Sequence, residues 1–208
     1  MARNVPDRAR RGTGSLRAVE HPLHVLTVCG SLRADSWNQR VLDLVAEVAG
    51  PAWRVERGSV RDLPLYDQDL EDAGAPEPVA RLRAQVLAAD AVLFAGPQFN
   101  HGISGVLKNA VDWLSRPAFA GVLVDKPVTA LAVTPGRHEP VEALGQTEVA
   151  LEICVARVHR PGLALTSIRH HLDEDGRFDA DVRATVEAMV DGFGRFVVTP
   201  PEPAEVAE

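Results

Sequence analysis

The stretch that decides the fold runs Leu23-His24-Val25-Leu26-Thr27-Val28-Cys29-Gly30-Ser31-Leu32-Arg33-Ala34-Asp35-Ser36-Trp37-Asn38-Gln39. Its first part, Leu23–Cys29, is short, mostly apolar and rich in β-branched residues, as a buried strand is. Gly30 then allows a tight turn. Further on, Val41, Leu44, Val45 and Val48 recur at helical spacing on one stripe. Ser36 with Gln39 three residues later has the form of a capping box, which places the helix start there.

Outward from this unit the pattern repeats. A second, more polar strand is expected at Trp53–Gly58, followed by a loop with Pro64, Tyr66 and Asp67 and a helix from about Pro76. Ala89–Ala95 reads as a buried strand and Gly105–Ser115 as a helix facing inward through Val106, Ala110, Val111 and Leu114. Pro127–Val133 is a further strand, Val141–Ala156 a helix and Arg157–Leu165 a fifth strand. Val182, Val186, Met189, Val190, Phe193 and Val197 make a last amphipathic helix. Five strands alternating with helices imply an α/β, doubly wound parallel sheet with helices on both faces. Ligands of such sheets bind beyond the carboxyl ends of the strands. The loops that matter are therefore Gly30–Asn38, Gly96–Ser104 and Thr134–Pro140.

Composition sets the bounds. The chain has 208 residues, 46% of them hydrophobic and 25% charged, which suits one domain with a sizeable core. A formal charge of −7 disfavours nucleic acid as a partner, and no apolar run approaches the roughly 20 residues of a membrane span. Cys29 and Cys154 are too few for a disulfide framework and lack metal-ligand spacing. A reduced, soluble, cytoplasmic protein is expected. Residues 1–22 carry a net charge of +3 and read as a flexible basic tail, either a disordered extension or a short anion-binding arm. The folded domain is expected over 23–198. Residues 199–208 read as an acidic, Pro/Glu-rich tail.

The first loop offers the means to hold an anion. Ser31 and Ser36 bring hydroxyls, Asn38 an amide and Arg33 a planar charged fork, beside the free N–H groups of a helix start. Together they suit a terminal phosphate monoester; the Ser36 cap alone would be an ordinary capped loop. Neither G-x-x-x-x-G-K-[ST] nor, after the first strand, G-x-G-x-x-G is present, which disfavours a P-loop nucleoside triphosphatase and a dinucleotide-binding Rossmann domain. Gly14-Ser15-Leu16-Arg17-Ala18 repeats Gly30 to Ala34 but lacks the strand and the cap.

The second loop and its helix read Gly96-Pro97-Gln98-Phe99-Asn100-His101-Gly102-Ile103-Ser104-Gly105-Val106-Leu107-Lys108-Asn109-Ala110-Val111-Asp112-Trp113. This resembles the NADPH-dependent FMN reductase family, whose pattern is close to T-P-E-Y-N-x-x-x-x-G-x-L-K-N-A-x-D-W. The first loop matches that family's G-S-L-R-x-x-S-x-N. The resemblance implies a flavodoxin-like fold with strand order 2-1-3-4-5. It implies FMN as cofactor, with Ser31, Arg33, Ser36 and Asn38 on its phosphate, Pro97, Gln98, Phe99 and Asn100 along the isoalloxazine ring, and Gly136 also at the flavin. NADPH or NADH would be the electron donor, and free flavin, a quinone, an azo compound or dioxygen the acceptor. Flavin N5 carries the hydride, so no catalytic side chain is required. A homodimer or homotetramer is implied. Lys108, Asn109 and Asp112 are read as structural.

The chain departs from the family at Gln98, at Phe99 and in the third loop. Gln98 stands for a carboxylate and Phe99 for a phenol. The third loop, Thr134-Pro135-Gly136-Arg137-His138-Glu139-Pro140, has one glycine where family members often carry a pair. Its His138 and Glu139 either reshape the nicotinamide and acceptor pocket or face solvent. Arg137 is either a partner for a 2′-phosphate or a surface charge. Trp113 is either a packing residue or, with Arg137 and His138, a substrate-pocket residue in a pocket completed by a second subunit. His170-His171 with Asp173 is read as an exposed loop rather than a metal site. Gly102-Ile103-Ser104-Gly105 is too short for a serine-hydrolase elbow. Two alternatives remain: a specialised FMN-dependent oxidase or reductase of one metabolite, and a non-catalytic electron-transfer module.

Overall fold

The computed structural model describes residues 21–200. The expected tails at 1–22 and 199–208 lie outside the described residues, apart from the two residues of each that adjoin the domain. The elements in chain order are β1 (Leu23–Cys29), α1 (Trp37–Ala49), β2 (Trp53–Gly58), α2 (Gln68–Asp72), α3 (Glu77–Ala88), β3 (Ala91–Gly96), β4 (Gln98–Phe99), β5 (Gly102–Ile103), α4 (Gly105–Leu114), β6 (Pro127–Val133), α5 (Val141–Ile153), β7 (Arg157–Val158), β8 (Leu163–Leu165) and α6 (Ala180–Val198).

The main sheet is parallel and ordered β2-β1-β3-β6, with β7 and β8 both paired to β6. This is the expected 2-1-3-4-5 order with its fifth position split. All six residues of β3 are buried, as in a strand covered on both faces. On one face α1 and α6 cover Val25, Leu93 and Leu131 with Val41, Val45, Val186 and Phe193. On the other, α3, α4 and α5 cover Leu26, Phe94 and Val128 with Leu82, Val111 and Leu151. Cys29 pairs with Ala95 and Gly96 with Ala132, so β1, β3 and β6 end level and release their loops at one edge.

Three expectations need correction. The fifth strand is interrupted: Pro161 has no N–H to give to a ladder, and Gly162 N donates to the side chain of Glu148 at 2.7 Å instead. The loop after β3 is a tight antiparallel hairpin, β4–β5, turning on Asn100 and His101. Leu107, which the sequence reading passed over, is the deeply buried residue of the first turn of α4, with Val106 half-buried against the same core as expected. The α5 helix ends at Ile153, with Cys154 at its C-cap.

Candidate functional site

The three loops at the carboxyl edge are fastened to one another by side chains that satisfy backbone groups of a neighbouring loop. Ser104 caps α4 and its Oγ donates to Gly30 O at 2.9 Å. Gly30 is needed for this approach, because a Cβ there would lie 2.5 Å from the Cβ of Leu107. The expected tight turn is thus a close approach of backbone to helix. Asn38 Nδ2 donates to Val133 O at 3.3 Å, and its Oδ1 accepts from Val133 N at 3.1 Å. Gln98 Nε2 donates to Glu139 O at 3.3 Å while its Oε1 accepts from Ala143 N at 3.1 Å. A glutamate could make only the second of these bonds, which gives the departure at Gln98 a physical reason.

The first loop is built around open donors. Among the described residues, the backbone N–H groups of Ser31, Leu32, Arg33, Trp37 and Asn38 have no protein acceptor. Arg33 is exposed and Ser31 half-buried. Arg61, which the sequence reading passed over, steadies the loop by donating to Leu32 O at 2.7 Å. Ser36 is buried and its Oγ accepts from Gln39 N. The reciprocal half of the capping box is not made, since Gln39 Nε2 turns to Asp43 at 2.8 Å. Asn38 is also buried, with both ends of its amide on Val133. Ser36 and Asn38, both expected at the phosphate, thus also fasten the loop through these bonds. Burial pushes the Cys29 thiol up, so it is not an activated nucleophile.

Between the hairpin and the third loop lies an open cleft of about 310 Å³ lined by Gln98, Asn100, His101, Thr134 and His138. Phe99 is 59% exposed beside its wall. Pro97 is half-buried where β3 passes into β4. Gly136, Arg137, His138 and Glu139 are exposed, and His138 still contributes to the cleft. The Gly136 carbonyl accepts from Ser167 N at 2.6 Å and Thr166 Oγ1 at 2.9 Å, which holds the third loop to the segment after β8. A Cβ on Gly136 would meet no protein atom within 4 Å.

Trp113 is not at this cleft. It is fully buried, donates from Nε1 to Pro64 O at 2.9 Å and meets Tyr66 edge-on at 5.0 Å. Asn109 grips the same segment, donating to Pro64 O and accepting from Tyr66 N, each at 2.8 Å. Lys108 pairs with Asp112 on the helix surface. His171 is engaged with Asp179 at 2.9 Å, and among the described residues no cluster could hold a metal ion.

A flavodoxin-type sheet, an open-donor loop at a helix start and a cleft at the same edge define the class of flavin-binding oxidoreductases. The comparisons with known proteins agree. Residues 23–171 match the model of the NADPH-dependent FMN reductase family, and the chain belongs to that family. An NAD(P)H-dependent FMN reductase of Pseudomonas aeruginosa is 37% identical over 182 residues, covering 84% of this chain and 95% of the relative. A quinone reductase of Pseudomonas putida is 32% identical over 176 residues, covering 83% and 94%. Among solved structures, the flavoenzyme NAD(P)H:(acceptor) oxidoreductase of Paracoccus denitrificans has a TM-score of 0.75 at 28% identity, covering 84% of this chain and 97% of that one. The chain is an FMN-dependent NAD(P)H oxidoreductase.

Proposed function

We propose that the physiological acceptor is a quinone, reduced in the cleft between the β4–β5 hairpin and the third loop. The observation that carries the reading is the open-donor first loop at the same sheet edge as that cleft. FMN, when bound, supplies the two-electron chemistry between nicotinamide and acceptor. This chain's residues supply position. The backbone amides of Ser31 to Arg33 and of Trp37 and Asn38, the Ser31 hydroxyl and the Arg33 guanidinium hold the phosphate. Ser36 and Asn38 keep that loop in shape. Pro97, Gln98, Phe99 and Asn100 border the ring, with Gly136 and His138 across the cleft. Arg137, exposed on the third loop, is the cationic group available to the donor's phosphates. The quinone reductase among the relatives supports the acceptor class.

The folded unit is residues 23–198 and acts as a homodimer or homotetramer in the cytoplasm. Both cysteines are free, as a reducing compartment allows, and no helix among the described residues is long and apolar enough to cross a membrane. The test is an anaerobic visible spectrum of the FMN-loaded protein. NADPH is expected to bleach the flavin band and p-benzoquinone to restore it. A band that persists with NADPH would mean a partner-fed module; a bleached band that benzoquinone leaves unchanged would exclude the quinone.

A further inference from the structure

Two histidines reach the cleft from different elements, and one of them has a carboxylate partner. His101 is the second residue of the two-residue β4–β5 turn, whose central residues Asn100 and His101 have φ of 50° and 59°. Glycine is the favoured residue at that position, because a Cβ crowds the backbone in the left-handed region. The turn is held in place from α5: Gln146 Nε2 donates to His101 O at 3.2 Å and Gln146 Oε1 accepts from Ile103 N at 3.1 Å. A residue held in a disfavoured conformation beside a cleft is a sign of function.

The ring is oriented as well. His101 Nδ1 lies 3.2 Å from Glu142 Oε1 in the first turn of α5. The backbone N–H of Glu142, and after it His101, hold that carboxyl below the usual carboxylate range. Glu142 therefore accepts at neutral pH and requires a hydrogen on Nδ1. Nε2 is left without a partner among the described residues, on a side chain that lines the cleft. The other titratable groups here are His138, which lines the cleft from the third loop, and its exposed neighbour Glu139. His138 has no carboxylate partner among the described residues.

We propose that His101, oriented by Glu142, gives a proton to the acceptor in this cleft, and that quinone-type carbonyls are the acceptors it suits. The inference rests on the quinone-reducing reading above. NAD(P)H, through the family's activity, supplies one hydride equivalent to the quinone. The two electrons and the hydrogen of that equivalent make one carbonyl oxygen an O–H, both carbonyl π bonds give way to the aromatic ring, and the second oxygen is left as an oxyanion. The Nε2–H bond of the His101 imidazolium breaks, an O–H bond forms, and a neutral hydroquinone leaves. His101 then regains its proton from solvent.

The test compares the FMN-loaded protein with its His101→Gly variant, a substitution that relaxes the turn. NADPH is the donor and either p-benzoquinone or ferricyanide the acceptor; ferricyanide takes single electrons and needs no proton. The benzoquinone-to-ferricyanide rate ratio is expected to fall about a hundredfold, a usual size for a lost general acid, and added imidazole to restore it. An unchanged ratio overturns the proposal, as does an equal fall in His138→Asn. If the unmodified protein reduces ferricyanide but not benzoquinone, the quinone reading itself fails. A second readout needs no turnover. Ring ¹⁵N shifts of His101 in the flavin-free protein at alkaline pH should show the Nδ1-protonated tautomer and lose it in Glu142→Gln. A tautomer indifferent to that substitution removes the orienting role.

Discussion

Asn38 and Arg33 lie five residues apart and do opposite things. Asn38 is buried and joins α1 to the end of β6 through both groups of its amide, to a residue 95 positions away. Arg33 is exposed and, among the described residues, bonds to nothing. Substitution should separate the roles. Asn38→Asp keeps the acceptor, loses the donor and buries a carboxylate against Val133 O, so it should cost about 2–3 kcal/mol in urea unfolding. Arg33→Ala should move stability by less than about 0.5 kcal/mol yet weaken FMN binding about tenfold or more through loss of a charge-assisted bond. Fluorescence titration of the flavin measures the second effect. An Arg33→Ala protein that binds FMN as tightly as before would remove the guanidinium from the phosphate site. The residue types of this loop were legible in the sequence. Which of them point outward was not, because Val133, the partner that turns Asn38 inward, belongs to a strand far along the chain.

The same limit operates at the scale of elements. The bounds of β1 and β6 follow directly from apolar, β-branched runs closed by glycine or a polar residue, and the more polar β2 ends at Gly58. The two-residue strands of the hairpin carry too little pattern to be seen, and their turn has histidine where glycine would have signalled it. The split of the fifth strand depends on Glu148 of α5 reaching Gly162. The short α2 escaped notice for a similar reason: its anchor is Glu71, which meets Arg116 at 2.9 Å, Arg83 at 3.4 Å and the Tyr66 hydroxyl at 3.0 Å. Burial opposes ionisation of this carboxyl, but Arg116, Tyr66 and Arg83 outweigh it and hold Glu71 below its ordinary value. A carboxyl with a lowered folded pKa stabilises fully above its unfolded pKa, and that contribution fades as pH falls through the folded one. Glu71→Gln should therefore lower Tm at pH 7, and the difference from the unmodified protein should close as pH drops below about 4.5. A gap that stays constant from pH 7 to pH 3 would show that shape, not charge, holds α2.

Over the whole molecule, α5 carries two duties. Its inner side, Ala143, Leu144, Thr147 and Leu151, covers the sheet, and its first turn supplies Glu142 to His101. Its outer side is not wholly polar: beside exposed Gln146 and Glu152, Val149 is 49% and Ile153 70% exposed, four residues apart and so on one face. Phe119, 81% exposed, lies in the loop before β6, and Asp125 of that loop donates to Val155 O at the end of α5 at 2.9 Å. An exposed apolar surface at the C-terminal part of α5 is what the proposed homo-oligomer would cover. Ile153→Glu removes one exposed side chain and should change urea stability of the isolated subunit by no more than about 0.5 kcal/mol. In sedimentation equilibrium at micromolar concentration it should turn a dimer or tetramer into a monomer. If the unmodified chain already sediments as a monomer, the oligomer proposal fails. If Ile153→Glu leaves an oligomer intact, subunits meet elsewhere and the outer face of α5 awaits a different partner. Because α5 also carries Glu142 and Gln146, a partner seated on that helix would stiffen the turn that holds His101. The variant should therefore lower the benzoquinone-to-ferricyanide ratio as well as the mass.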